Sequence, residues 1–426
     1  MLNNIGLKSG NMILLPLDIP GIRVTSAHLN EYGDYIITVE SMPNGTICQH
    51  CGRTITKFHD HGRRVELRHL SVLGYRTYIH HRPKQYKCVH CADKMTTQTL
   101  DWYETRSPHT RAYDRHLMLQ LIGSTVEDVS HKEEVGYDAV EGAIKRCIRA
   151  TVNWDEFAEL KVIGIDEIAL SKGRQNFIAI VTTQQADGHV AVLSVLPDRK
   201  KKTVRQFLES IPKRLRRTME TSCTDMWEGY VNAVKEFSAA HPEVSIEVVV
   251  DRYHVAQNYR ECVDKVRKQE RCRLKKALSE TEYEAVVKDM MWIIRKNNRD
   301  LTADERKRLR RLFTYSPTLK LAYTFREELT AIFEMPLTKE QARQRLLKWA
   351  DKVRRSTLTC FDKFLTTLNN WLDAIVNYFA NRLSSGFVEG LNNKIKTIKR
   401  RCYGILRVAT LFQRLYLDIE GYRRFA

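Results

Sequence analysis

Three acids set far apart in the chain, Asp166, Asp225 and Glu389, and two Cys-x-x-Cys pairs, Cys48/Cys51 and Cys88/Cys91, are the residues whose types and spacing could do chemistry. The run Val162-Ile163-Gly164-Ile165 reads as a short buried strand that ends in Asp166. A carboxylate at the end of a core strand is costly unless a cation, a hydrogen-bond network or a metal lies beside it, so Asp166 is expected to be a metal ligand. Asp225 ends a second short strand, Thr221–Thr224, and Glu389 stands in the first turn of a helix entered from Ser384-Ser385-Gly386, where the helix dipole favours a negative group. Together the three could hold two divalent ions roughly 4 Å apart for an in-line phosphoryl displacement, with Mg2+ (or Mn2+) the natural choice for oxygen ligands. Asp251 competes with Asp225 for the second place, and His254 close by is a possible helper at a phosphate or leaving group. Glu167 alternates to the opposite strand face and is the poorer ligand.

The cysteines call for different chemistry. Two pairs of thiolates, each two residues apart in a tight turn, complete a closed tetrahedral Zn2+ site that folds a module and leaves no position open for catalysis. One of the nearby histidines, His50, His59, His61, His80, His81 or His90, could replace a thiolate. The other six cysteines are scattered, which does not suit a disulfide framework.

Elements must bring these groups together. After Asp166, Gln175–Gln184 and His189–Leu196 alternate around the Asp187-Gly188 turn, so the first three strands form a meander. Thr203–Arg217 reads as one basic amphipathic helix, and the strand to Thr224, a helix over Tyr230–Ala240 and a strand over Val244–Val250 follow. That order is the ribonuclease H order, in which the first and fourth strands are neighbours. Between Tyr253 and Leu383 the period is helical, with basic clusters at Lys265–Lys276, Arg295–Arg311 and Arg343–Arg355, and with Trp292, Trp349 and Trp371 expected in its core. Upstream, Pro108–Ile122, Thr125–Glu133 and Tyr137–Ala150 have a helix-turn-helix layout whose third helix carries Lys145, Arg146 and Arg149. A second basic run, Lys394, Lys396, Lys399, Arg400 and Arg401, follows Glu389 and suits the phosphates flanking a scissile bond.

The expected organisation is multidomain α+β: a zinc ribbon-like module over 1–105, a helix-turn-helix over 106–155, and a ribonuclease H-like α/β catalytic core over 160–253. An all-helical insertion over 254–383 interrupts that core, and 384–426 supplies its closing helix and tail. With 70 Lys and Arg against 51 Asp and Glu, the net charge of +19 favours a polyanionic partner, double-stranded DNA before a membrane surface. No apolar run approaches the roughly 20 residues of a membrane span and the N-terminus lacks a signal-peptide pattern, so a cytoplasmic location is expected.

Taken with their spacing, several separated motifs resemble the ISL3 family of bacterial insertion-sequence transposases over nearly the whole chain. They are Ile165-Asp166-Glu167, Thr224-Asp225-Met226, Asp251-Arg252-Tyr253-His254-Val255, and Val388-Glu389-Gly390-Leu391-Asn392-Asn393-Lys394 with Lys399-Arg400-Arg401-Cys402-Tyr403-Gly404. The resemblance implies a DDE enzyme with Asp166, Asp225 and Glu389 as its catalytic acids. It also implies binding to terminal inverted repeats, cutting of the element's ends and joining to target DNA, with a homo-oligomer holding two ends. A domesticated DNA-binding protein without activity, or a nuclease of the same fold that hydrolyses without joining, are the competing expectations.

Overall fold

The computed structural model describes residues 17, 19–170, 177–250, 252–382, 386–402, 404 and 407–426, with backbone alone for 381 and 386–389. Its contacts divide the chain into two units, Met1–Arg149 with Tyr416–Ala426, and Ala150–Leu415.

Among the described residues of the first unit, nine strands precede three α-helices. They are β1 (Ile22–Leu29), β2 (Tyr35–Ser41), β3 (Thr46–Ile47), β4 (Thr54–Ile55), β5 (Phe58–His61), β6 (Val65–Val72), β7 (Tyr75–His81), β8 (Lys84–Cys88) and β9 (Lys94–Thr97). They form a four-stranded sheet in the order β1-β2-β7-β6, a β3-β4 ribbon and a three-stranded β5-β8-β9 sheet. Leu73 and Gly74 both take positive φ, the tight turn that matches the twist of the β6–β7 hairpin. Alternate inward residues Ile37, Val39, Leu67 and Ile79 pack with Trp102 and Tyr103.

The helices are α1 (Arg111–Leu121), α2 (Val126–Glu133) and α3 (Tyr137–Cys147). The first starts three residues later than the sequence pattern suggests, because the Thr110 hydroxyl caps it by accepting from the Tyr113 N–H. A Thr125/Asp128 capping box starts the second. Their shared core of Leu117, Leu121, Val129, Val140 and Ile144 also takes in Leu417 and Phe425. Residues 416–426, expected with the catalytic core, thus belong to this unit because their apolar side chains complete its helical core.

Arg146 departs from its expected role. Its guanidinium lies bidentate on the buried Asp114 carboxylate, both bonds 2.7 Å, and His109 Nδ1 sits 2.8 Å from the same group. Burial works against the Asp114 carboxylate, yet the hydrogen bonds from Arg146 and His109 hold its pKa below the ordinary range. With its fork occupied this way Arg146 ties α3 to α1, whereas Lys145, paired with Glu141 at 3.0 Å, and Arg149, just past the end of α3, are both exposed. Asp114→Ala strands a half-buried guanidinium and is expected to cost roughly 3 kcal/mol, the lower end for breaking a buried pair. Denaturant unfolding followed by hydrogen exchange in α1 and α3 checks this, and an unchanged midpoint would refute it.

The second unit is built on β10 (Val162–Ala169), β11 (Phe177–Gln184), β12 (Val190–Leu196), β13 (Thr221–Thr224) and β14 (Glu247–Val250), in the order β12-β11-β10-β13-β14. The β10–β11 and β11–β12 pairs are antiparallel, whereas β10–β13 and β13–β14 are parallel. The expected single helix over 203–217 is two, α4 (Lys201–Ser210) and α5 (Lys213–Arg216), since Pro212 lacks the N–H and favours a break. α6 (Glu228–Ala240) joins β13 to β14.

Seven helices follow: α7 (Arg252–Ala277), α8 (Glu280–Val287), α9 (Met290–Arg295), α10 (Ala303–Tyr315), α11 (Pro317–Glu334), α12 (Lys339–Arg354) and α13 (Asp362–Asn381). Trp349 is buried among Phe325, Phe361 and Phe364, and Trp371 packs on the core. Trp292 does not: it is 62% exposed, because the short α9 turns Met290, Ile293 and Ile294 inward and leaves position 292 outside. Many cations of the basic clusters are engaged by neighbouring acids, among them Arg273 with Glu270, Arg299 with Glu334, Arg308 with Asp289 and Arg343 with Asp373. α14 (Gly386–Arg401) and α15 (Val408–Phe425) end the chain. Among the described residues no helix is long and apolar enough to cross a membrane.

Candidate active site

Register decides where the first two acids stand. In the parallel β10–β13 pair Ile165 lies opposite Thr224, so Asp166 and Asp225 stand at the same level: Asp225 just past the end of β13, and Asp166 inside β10, which does not end there as expected but runs on to Ala169 because β11 continues to pair with it. α7 then begins beside them and brings His254 Nε2 to 2.5 Å from Asp225 Oδ1. Ligand atoms of Asp166, Asp225 and His254 all lie within 4.8 Å of one another.

Asp166 is the more enclosed of the acids, at 9% exposure. One of its oxygens accepts from the Glu167 backbone N–H at 2.6 Å, and the other accepts from the Asn392 side-chain amide of α14. Burial, followed by the charge of Asp225, pushes its pKa up to about 7, against the pull of the Asn392 and Glu167 hydrogen bonds and of His254. Two acids crowded in this way, with an imidazole alongside, form a donor set that fits a divalent cation. Tyr230, buried on α6, has its pKa raised by burial and then by Glu167, Asp166 and Asp225, and its hydroxyl has no hydrogen-bond partner among the described residues. Glu167 turns to the other strand face and pairs with Arg199 at 2.8 Å.

The remaining sequence candidates fall in different places. Glu389 lies in the first turn of α14, and its side chain is outside the described residues, as is Asp251 entirely. Lys399, expected at a phosphate, is half-buried and donates to the Ala169 and Leu170 carbonyls, the second at 3.1 Å. Burial lowers its pKa. It therefore ties α14 to the end of β10, a positioning task. Lys394, Lys396 and Arg400 are exposed and Arg401 is half-buried. Sequence reasoning gave no role to Asn392, Tyr230 or Arg199. Only Asn392 had a signal: its i, i+3 spacing from Glu389 in a helix.

In the first unit the four thiols of Cys48, Cys51, Cys88 and Cys91 lie within 4.8 Å of one another, with Cys51 and Cys88 sulfurs 3.7 Å apart. A tetrahedron of zinc–sulfur bonds near 2.3 Å has edges of about 3.8 Å, so the set fits zinc. The His50 backbone N–H, donating to the Cys48 sulfur at 3.4 Å, is the main reason that thiol's pKa is lowered to about 6.

A transposase family model, ISL3 with a DDE catalytic domain, matches residues 163–415, and a model for the zinc-finger of transposase IS204/IS1001/IS1096/IS1165 matches residues 45–91. The chain belongs to the ISL3 transposase family. This transposase is 27% identical over 381 residues to the transposase for insertion sequence element IS1001 of Bordetella parapertussis, covering 89% of this chain and 90% of that one. It is 21% identical over 402 residues to the transposase for insertion sequence element IS1557 of Mycobacterium tuberculosis, covering 89% and 88%. The solved Drosophila P element transposase strand transfer complex aligns with a TM-score of 0.42 at 12% identity, over 74% of this chain and 92% of that one. As a transposase the protein acts on DNA, and its N-terminal zinc ribbon accounts for the four-cysteine cluster.

The pKa of Asp166 has a consequence for stability. A carboxyl raised from an ordinary value near 3.9 to about 7 keeps a proton in the folded chain that the unfolded chain releases, so stability falls as pH rises through that window and is level above it. Without added divalent metal, Asp166→Asn is expected to remove that fall and to be more stable at pH 8 by on the order of 2–4 kcal/mol. Thermal unfolding of both proteins at pH 5 and pH 8 checks this, and parallel pH profiles would refute it.

Proposed function

We propose that this transposase cuts the inverted-repeat ends of its own element and joins them to target DNA at a site made by Asp166, Asp225 and Glu389. The observation that carries the reading is the β10–β13 register, which sets Asp166 and Asp225 level with each other next to His254. Glu389 precedes Asn392 by three residues in α14, a spacing that puts both positions on one helix face, and Asn392 reaches Asp166. The strand order, with a three-stranded antiparallel meander continued by two parallel strands, supports a ribonuclease H-like core that α7–α13 interrupt before α14 closes it.

Divalent ions, Mg2+ or Mn2+, bound there would activate the attacking oxygen and stabilise the leaving one. The chain's own groups do the rest. Asn392 and the Glu167 N–H orient the Asp166 carboxylate, and Lys399 fixes α14 against β10. His254, held by Asp225, presents an imidazole where a proton must move or a phosphate oxygen must be met. α1–α3 serve as a helix-turn-helix, with Lys145 and Arg149 on phosphates, and the zinc ribbon supports end binding. Two ends must be held at once, so the working form is a homo-oligomer on DNA in the bacterial cytoplasm.

The test uses the full chain, a supercoiled donor plasmid with the element's two ends, a target plasmid, and Mg2+ or Mn2+. Covalently joined donor–target products are expected. Cut ends without joining would make it a nuclease, and retarded ends without nicking in Mn2+ would make it a DNA-binding protein that has lost its chemistry.

A further inference from the structure

Two residues beyond Asp225, the chain displays a large aromatic side chain that the chemistry above does not use. Trp227 is 40% exposed, and its backbone N–H donates to the Asp225 carbonyl at 2.7 Å, so the main chain between the acid and the tryptophan is held in a tight turn. Three contacts hold the indole. The Arg199 guanidinium lies over one face, 4.2 Å from the ring centroid, and is itself over Phe177 at 4.6 Å and paired with Glu167. The indole N–H donates to the Arg199 carbonyl at 3.4 Å. Gly229 makes room: a Cβ there would stand 2.6 Å from the indole nitrogen.

A tryptophan that only filled space would have its rings covered. This one is braced by Arg199 and still exposed, and it borders a cleft of about 770 Å³ that Leu170, Phe177 and Pro197 line beside Arg199, Lys201 and the Lys200–Asp198 pair. Apolar walls with cations at the rim suit a nucleotide, with an aromatic surface for the base and positive charge for its phosphate. A base inside a duplex cannot offer its face to a side chain, so an occupant of this cleft must have left the stack.

We propose that Trp227, braced by Arg199, is a stacking platform for a DNA base unstacked from the duplex next to the phosphate being cut. The platform holds the strand open beside Asp225. This rests on the active-site reading above, because the neighbouring acids are what place the scissile phosphate here.

The test compares cleavage of an intact duplex carrying the element's end with cleavage of the same duplex mismatched at the base pair adjoining the cut. Trp227→Ala is expected to bind the end as the parent does, to cut the intact duplex roughly 5- to 150-fold more slowly, and to regain most of that loss on the mismatched one. Trp227→Phe keeps a stacking face and is expected to stay within a few-fold of the parent, whereas Trp227→Leu, of similar bulk to Phe but without a π face, behaves as Trp227→Ala. If Trp227→Ala fails to bind the end, the Phe and Leu variants decide alone. An unchanged rate on the intact duplex, an equal loss on both duplexes, or Leu serving as well as Phe would overturn the platform. Asp166→Asn is silent on both duplexes whatever Trp227 does; if it cut them, the acid assignment would fail on that result, separately from the behaviour of the Trp227 series.

Discussion

Asp166→Asn and Asp225→Asn proteins are expected to bind the element's ends as the parent does, while cutting and joining them at least about a thousandfold more slowly. The two variants remove charge and leave shape, so the sheet and its register should persist. They lose the negative oxygens that face each other across the β10–β13 register, and with them the donor set for a divalent cation. His254→Ala is the informative contrast. The imidazole touches Asp225 but lies on a different element, so its loss is expected to cost roughly 10²- to 10⁴-fold, the range of a positioned proton carrier. Single-turnover cleavage in Mg2+, with a gel-shift of the same DNA, reads both quantities. An Asp166→Asn protein that still cuts would displace the acid from the chemistry.

Why Asp166 and Asp225 were legible in the sequence and Asn392 was not follows from what each reports locally. An acid that ends an apolar run of strand length advertises its own cost, and the order of runs around it says which strands are neighbours. Asn392 is a polar residue in an amphipathic helix, and nothing nearby says that its amide reaches across to β10. Lys399 misled in the opposite direction. It stands in a row of cations where a phosphate contact is the natural reading, yet its helical position turns it toward the Ala169 and Leu170 carbonyls at the end of β10. Arg146 misled likewise, because its acceptor Asp114 is 32 residues away and on another helix. Trp292 shows the limit of composition: a tryptophan is assigned to the core by its area, but a six-residue helix has only one inward face. For Asn392, Lys399 and Arg146 the deciding partner was distant in sequence, whereas the strand, turn and cap signals that succeeded act within a few residues.

Removing zinc is expected to unfold the module around residues 45–97 and leave the five-stranded sheet of the second unit intact. The reason is how little else holds that module. β3 and β4 are two residues each, and the core behind the thiols is Ile55 and Tyr86 with Cys48 and Cys88 themselves. Strands this short cannot repay their ordering entropy, whereas a structural zinc site contributes on the order of 10 kcal/mol or more of apparent binding free energy. Protons compete for the same sulfurs. Cys48 is inclined to be a thiolate, with a pKa lowered to about 6 by the His50 N–H, whereas burial raises that of Cys88, and that of Cys91 is pushed up to about 12, first by the Cys51 sulfur and then by burial. Binding at neutral pH therefore releases protons from Cys88 and Cys91, and zinc affinity falls steeply as pH drops. Treatment with a zinc-selective chelator, or Cys88→Ser, should release one zinc per chain and abolish hydrogen-exchange protection in β8 and β9. End binding should fall with it, while protection in β10 and β11 is unchanged. Full protection of β8 and β9 in zinc-free protein would mean that the four cysteines are merely neighbours in a fold that stands without metal.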